Sequence, residues 1–375
     1  MGATGTVIHV AAGTYSTITG CPNDSQANVC VNRSGSSTTA RLIVQCDAGL
    51  SSAYAAQGQC KISGGDAGFF VANGNYVDIV GFDIGNTGNM ATGVKVLDDG
   101  ATVSAIGNSI HVIGNYIHDL GSTNSGGCPQ NGAILFAQNH GSGTTGDTAI
   151  GNIITRYGQP TSGTCNYAHG IYANTGHVIL ENNIIVGVPT YGITFYSSAC
   201  FGVVSNNVII TAKGGIVIGT DSSHGTACTN QGSNTINNNY FGNITTKASI
   251  VFDDNCTSGT PNFLGNNVSD NSAANGDVIA NGSISCDTIS PATLTHIAGM
   301  SMFVNYKTDG TGDYHLKASV SGSSTCSTGA GAISPCVRTT DFEGVAMNPV
   351  PVGAYALVSA ASTPTAPTNL TATVQ

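Results

Sequence analysis

The chain contains no tryptophan and very little charge. Of 375 residues, 10 are Lys or Arg and 20 are Asp or Glu. So few basic groups cannot build the patch that neutralises a phosphate backbone, which excludes a nucleic-acid partner. The net charge of −10 also disfavours a strongly anionic partner unless a cation bridges it. Glutamate is nearly missing, with Glu181 and Glu343 the only two. Any carboxylate pair for sugar chemistry must therefore come from aspartates. No run approaches the length that spans a bilayer, so no membrane partner is expected. No Cys-x-x-Cys pair occurs, which argues against a zinc or thioredoxin-type site. The scattered histidines suggest no metal cluster. The opening Met-Gly-Ala-Thr-Gly carries no export signal, and the expectation is that one was removed ahead of it.

What is present is Gly, Asn, Ser and Thr in quantity, with 40% hydrophobic residues, enough to bury a core. The 12 cysteines are an even number in a low-charge chain. That reads as disulfides, an oxidising compartment and a secreted protein. Pairing neighbours in sequence order is the simplest arrangement.

Two phrases alternate along the chain. One is small-Gly-apolar-x-apolar: AGFFVA at 67, TGVKVL at 92, NGAILF at 131, HGIYAN at 169, YGITFY at 191, GGIVIG at 214 and ASIVFD at 248. The other is apolar-x-Asn-x-apolar: VGFDI at 80, IGNYI at 113, IGNII at 150, ENNII at 181, SNNVI at 205, NNNYF at 237 and GNNVS at 265. Alternation with period two means strands, and short strands in repeats that are 22 and 23 residues long at their barest, and carry Gly-, Ser- and Thr-rich loops where longer, suit a parallel solenoid. Each coil cannot bury its own inward side chains, whereas stacked coils make one continuous core. Asn115, Asn152, Asn183, Asn207, Asn239 and Asn267 then form an internal ladder, with Phe82 as an aromatic lid.

These phrases resemble the right-handed parallel β-helix proteins, the pectate-lyase-like superfamily, over about residues 5–355. VIHVAAGTY at 7–15 resembles a first coil of secreted members, and DFEGVAMNPVPVGAYAL at 341–357 a closing segment. The resemblance implies an all-β right-handed parallel β-helix over 1–357, with an internal Asn ladder and disulfide-stapled loops. It says less about chemistry, because lyases, hydrolases, epimerases, adhesins and tailspikes share the scaffold. The tail STPTAPTNLTATVQ differs in kind. Residues 358–375 read as a Pro/Thr-rich linker and the start of a truncated fibronectin type III-like module, hence a multi-modular parent.

On a solenoid, function lies on an outward stripe of equivalent positions. Phased on the glycine, one outward column reads Phe70, Lys95, Ile134, Tyr172, Thr194, Val217 and Val251. A second reads Ala72, Leu97, Phe136, Asn174, Tyr196, Gly219 and Asp253, and the strand entrances include Asn131, His169 and Tyr191. Polar and aromatic members gather in the middle coils, where a glycan groove would use them. Lys95 is taken as the only lysine on this stripe. Tyr116 and His118, with Asp119, Arg156 and Tyr157 at the next turn, support the same location. Asp119 and Arg156 fall in equivalent places and are expected to pair across one coil spacing. The two longest loops bracket the strand at 131, and a Cys128–Cys165 bridge would pin them beside His169.

Three functions stay open. In β-elimination, His169 would be the base, Tyr172 the acid, and Arg156 or a bound cation the carboxylate neutraliser. In glycoside hydrolysis, Asp221 and Asp253 would supply the carboxylates. The polygalacturonase-like branch places Gly-His-Gly at a strand entrance, which AHGIYAN resembles. The preceding entrance PQNGAIL, however, holds Gln130 and Asn131 instead of a carboxylate pair. In the third reading the chain binds glycans as a surface or adhesin module, without cleavage. Asn131, Asn174, Tyr191, Tyr196, Tyr116, His118 and Lys95 would contact the polysaccharide. The Asp98–Asp99 and Asp253–Asp254 runs leave calcium open as a cofactor. A monomer is expected. The low basic content favours a neutral glycan and hydrolysis, while the His/Tyr stripe favours elimination.

Overall fold

The computed structural model describes residues 5–21, 27–47, 56–72, 74–85, 90–97, 109–121, 131–137, 146–158, 167–196, 200–219, 233–253, 262–281, 294–317, 322, 339–341, 343, 345–347 and 350–355. Every pairing along the solenoid is parallel. Each coil contributes three strands, here a, b and c in chain order. The a strands form a nine-stranded sheet running from Thr6–Val10 to Phe263–Leu264. The b and c strands form a 17-stranded sheet. In two middle coils they merge into the 12-residue strands Ile184–Phe195 and Val208–Gly219.

The inward columns explain the stacking. Strand a sends Ile79, Val112, Ala149, Leu180, Val204 and Ile236 inside, in register from coil to coil. Strand b sends Ile84, Ile117, Ile154, Ile185, Ile209 and Phe241. Strand c sends Phe69, Val94, Ile134, Ile171, Ile193, Ile216 and Ile250. All belong to one buried core. The repeated glycine has a spatial cause. A Cβ on Gly170 or Gly192 would lie 2.6 and 2.4 Å from the inward Ile185 and Ile209 of the adjoining coil.

The Asn ladder is present at the turn between a and b. Each Nδ2 donates to the Oδ1 of the next coil, from Asn115 to Asn152 at 3.1 Å and onward to Asn267 at 2.9 Å. Each also donates to a backbone carbonyl, so no amide is left orphaned inside. Phe82 caps the ladder: its N–H donates to Asn115 Oδ1, and its ring lies 4.8 Å from Phe69. The asparagines just before the ladder, Asn182, Asn206 and Asn238, have left-handed backbone with φ near +55°. Asn182 and Asn206 donate outward to Thr340, Pro351 and Gly353 carbonyls, and Gly353 N–H donates to the Asn238 carbonyl. The doubled Asn thus serves two purposes, one inside and one out.

That outer set anchors a C-terminal strap. The strap comprises the turn Gly299–Met302, the antiparallel pair Phe303–Asn305 and Asp313–Leu316, and residues 350–355. Met302, Phe303, Tyr314, Leu316, Val352 and Tyr355 pack on Ile153, Ile184, Val186, Val208, Ile210, Tyr240 and Val268, the outward side of strand b. Burying several large side chains there contributes on the order of 1.5–3 kcal/mol apiece. The strap therefore closes the b face of the later coils.

Among the described residues, disulfides join Cys21 to Cys30 and Cys46 to Cys60, as neighbour pairing expects. Cys128, Cys165 and the tail at 358–375 lie outside the described residues. Among the described residues no helix is long and apolar enough to cross a membrane.

Candidate active site

Strand His169–Ala173 opens with a histidine on the outward side of the c sheet. His169 is 8% exposed. Its Nδ1 lies 2.7 Å from the Thr194 hydroxyl of the next coil. Its ring stacks against Tyr191 at 6.2 Å and tilts against Tyr172 at 5.5 Å. Burial between these groups pushes its pKa down to about 4, because desolvation penalises the cation. At neutral pH the ring is an uncharged imidazole. When Nδ1–H donates to Thr194, Nε2 carries the lone pair.

The neighbouring columns continue the outward side of the c sheet, where Leu135, Thr194, Val217 and Val251 are buried and Lys95 and Tyr172 are half-buried. Lys95, Leu135, Tyr172, Thr194, Val217 and Val251 are in register. Val217, Val251 and Ala248 form a small buried apolar cluster against which Tyr191 packs. The Tyr191 ring lies over Gly214, where a Cβ would come within 2.4 Å of it, and the Tyr196 ring lies equally close over Gly219. Two half-buried tyrosines, each seated on a bare glycine of the following coil, give flat aromatic surfaces of the kind sugar rings pack against. Asn174 stands in the column of Tyr196, and Asp253 at the far end of the same face. Asp253 adds to burial in raising the Tyr191 phenol's pKa. Asn131 enters through its backbone: its carbonyl accepts the His169 N–H and the Tyr157 hydroxyl.

One coil corrects the sequence register. NGAILF carries one extra residue at its entrance, so Gly132 pairs with His169 and Leu135 with Tyr172. Ala133 takes the glycine's place. Ile134 and Phe136, expected outward, are fully buried in the core, and Leu135 and Ala137 are the outward members.

Tyr116, His118, Asp119 and Arg156 do not join the stripe. They sit on strand b and its corner, before the chain turns into strand c. There His118 bonds Asp83 at 2.8 Å and Asp119 at 2.6 Å, and Tyr116 stacks on it at 4.3 Å. Burial works against the His118 charge, yet the two carboxylates outweigh it and hold its pKa above the ordinary value. Arg156 grips Asp119 through two bonds of 2.6 and 2.7 Å. That grip, against the effect of burial, holds the Asp119 carboxyl below its usual range. The expected Asp119–Arg156 pair is thus present. Both residues adopt positive φ at equivalent corners, so the pair braces a strained turn. Gly310 of the strap lies beside Arg156. Tyr157 is fully buried, its hydroxyl donating to the Ala91 carbonyl.

Lys95 stands over the Phe70 ring at 5.1 Å, two coils before Tyr172. It is not the only lysine on this face. Lys213 and Lys247 immediately precede the entrances Gly214 and Ala248. They were missed because the repeated phrase was cut one residue too late. Thr194 was legible only as a column member, since its bond to His169 depends on coil stacking. Asp221, Asp98, Asp99 and Asp254 lie outside the described residues. Among the described residues no group of three His, Cys, Asp or Glu is placed to hold a metal ion.

No family model and no curated protein matches the chain. Among solved structures it is similar to the crystal structure of pectate lyase Pel9A. That likeness has 15% identity and a TM-score of 0.51, covering 95% of this chain and 89% of that one. It shows the fold, a pectate-lyase-like parallel β-helix.

Proposed function

We propose that this protein is an extracellular enzyme that cleaves glycosidic bonds in a polysaccharide laid along the outward c face of the middle coils. The observation that carries this reading is the uncharged, Thr194-oriented His169 set between Tyr172 and Tyr191. Likeness of fold to a pectate lyase supports it, as do two disulfides for a site outside the cell.

The chemistry this pair suits best is β-elimination on a uronate. His169 Nε2 takes the C5 proton. The freed electron pair forms the C4–C5 double bond, the C4–O4 bond breaks, and the leaving oxygen takes the Tyr172 phenolic proton. Proton exchange with solvent then resets both residues. General acid–base assistance of this sort contributes about 10²–10⁴-fold. Arg156 is committed to Asp119, so it is not the neutraliser in this scheme. A second reading has one observation in its favour. Burial makes His169 a weak base, which suits glycan binding without cleavage.

A product assay separates them. Elimination yields unsaturated ends that absorb in the ultraviolet, hydrolysis yields only new reducing ends, and a binding module yields neither. If His169→Ala and Tyr172→Phe both keep full activity, the assigned proton-transfer pair is wrong.

A further inference from the structure

We propose that Ser109, His111 and Asp78 form a second reactive site, on the outward face of strand a, that hydrolyses a carboxylic ester with a short acyl group. Ser109 is the nucleophile and His111 the base. Asp78 orients the base, and Arg41 is the donor to the oxyanion. The site does not depend on the c face.

Coil stacking brings the three together. Asp78 and His111 stand opposite one another in adjoining coils, at outward positions, and Ser109 lies two residues before His111. Asp78 Oδ1 is 3.0 Å from His111 Nδ1, and His111 Nε2 is 3.3 Å from Ser109 Oγ. This is the nucleophile–base–orienter order, which is recognised by geometry and not by sequence position. The partners fix the protons. A carboxylate only accepts, so Nδ1 of the uncharged ring carries the hydrogen and Nε2 the lone pair. Arg41 Nη1 only donates, and it reaches Ser109 Oγ at 2.9 Å. The Ser109 hydroxyl proton is therefore left to point at Nε2. Arg41 is itself held by Asp78, through Nε at 2.6 Å, and by the Val77 and Ser109 carbonyls.

The reactive end of this row faces solvent. The His111 side chain is 26% exposed, against 10% for Asp78 and for Arg41, and Ser109 is half-buried. Ser109 occupies the left-handed corner that opens strand a, and the following coils place Gly146, His177 and Phe201 at that corner. Among the described residues nothing beyond its chain neighbours lies within 4 Å of where a Gly146 Cβ would stand. The His177 and Phe201 rings pack at 4.7 Å beyond it. The bare corner is one coil wide, about 4.8 Å, which suits an acetyl group and not a long chain. In the reaction His111 Nε2 takes the Ser109 proton as Oγ bonds the ester carbon. The carbonyl oxygen becomes an oxyanion beside Arg41. The Ile110 N–H cannot serve it, being spent on Asp147 at 2.7 Å. The carbonyl then reforms, the bond to the alcohol oxygen breaks, and that oxygen takes the proton from Nε2. Water repeats the sequence on acyl-Ser109, which frees the acid and restores the hydroxyl.

The test uses the full chain with p-nitrophenyl acetate, p-nitrophenyl octanoate and a fluorophosphonate that labels activated serines, the label being mapped by peptide mass spectrometry. Ser109→Ala and His111→Ala are measured beside the wild type, with circular dichroism as the check on folding. The wild type is expected to hydrolyse the acetate faster than the octanoate and to take the label on Ser109. Acetate kcat/KM should fall about 10²–10⁴-fold in each variant, and His111→Ala should slow labelling of Ser109 by a similar factor. Labelling of the wild type needs no variant, so the site remains testable where a variant fails to fold. A folded wild type that neither takes the label on Ser109 nor turns over the acetate overturns the site. Acetate turnover that survives Ser109→Ala comes from another group and overturns it too. Octanoate turned over faster than acetate overturns the short acyl group.

Discussion

The burial of His169 makes a quantitative prediction about acid tolerance. With a pKa of about 4, about 97% of the imidazole is uncharged at pH 5.5, against about 9% for an ordinary histidine near 6.5. A rate that depends on the neutral ring therefore stays flat from neutral pH down to about pH 5 and falls only near pH 4. Tyr191→Ala removes the ring stacked on His169 and admits water. The histidine then moves back toward its ordinary value, and relative activity at pH 5.5 drops about tenfold against pH 8. The assay is kcat/KM against pH for both proteins. The same group affects stability. Its folded pKa lies below the unfolded one, so its contribution is complete above pH 6.5 and is lost as pH falls toward 4, by roughly 3 kcal/mol. A wild-type acid limb at pH 6–7, or an unchanged limb in Tyr191→Ala, refutes the reasoning.

Further expectations concern the scaffold. Asp147 is fully buried, accepts the Ile110 N–H at 2.7 Å, and has its pKa pushed up to about 7 by burial. It stands in the column where Asn234 and Asn262 bond each other. Asp147→Asn keeps an acceptor and removes the titration. The variant should match the wild type near pH 4 and exceed it above pH 7, by up to about 4 kcal/mol in urea unfolding; a gain independent of pH contradicts this. Asn239→Ala strands ladder partners on both sides, on Asn207 and Asn267. It should cost about 2–4 kcal/mol, and a loss under 1 kcal/mol in thermal unfolding would show a water taking its place. His315 lies between Asp313 and Glu343 and stacks on Tyr355. Burial opposes its charge, but the two carboxylates prevail and raise its pKa. Its contribution to holding the strap is therefore complete below the ordinary histidine value of about 6.5 and lost as pH rises through the raised one. Amide exchange of residues 313–316 against pH checks the direction.

The coil phrases and the Asn ladder were readable because period-two alternation and one polar ladder position repeat in every coil. The first coils at Leu42–Cys46 and Ala27–Val31 were less so, since they lack the Gly and Asn marks. The error at Ile134 shows the limit of phasing on a glycine. The space that excludes a Cβ is set by the neighbouring coil, and there Ala133 fills it. Tyr116 and His118 looked equivalent to the groove residues because outward alternation does not say which face is outward. The strap, whose pattern is irregular, decides that. Lys213 and Lys247 needed only one more residue at the left of each phrase.

The most direct measurement is a crystal structure of the His169→Ala variant with a bound acidic oligosaccharide. The account predicts sugar rings along the c face, over Tyr191 and Tyr196. Density on the Tyr116–His118 side, or on the outward face of strand a, would contradict it.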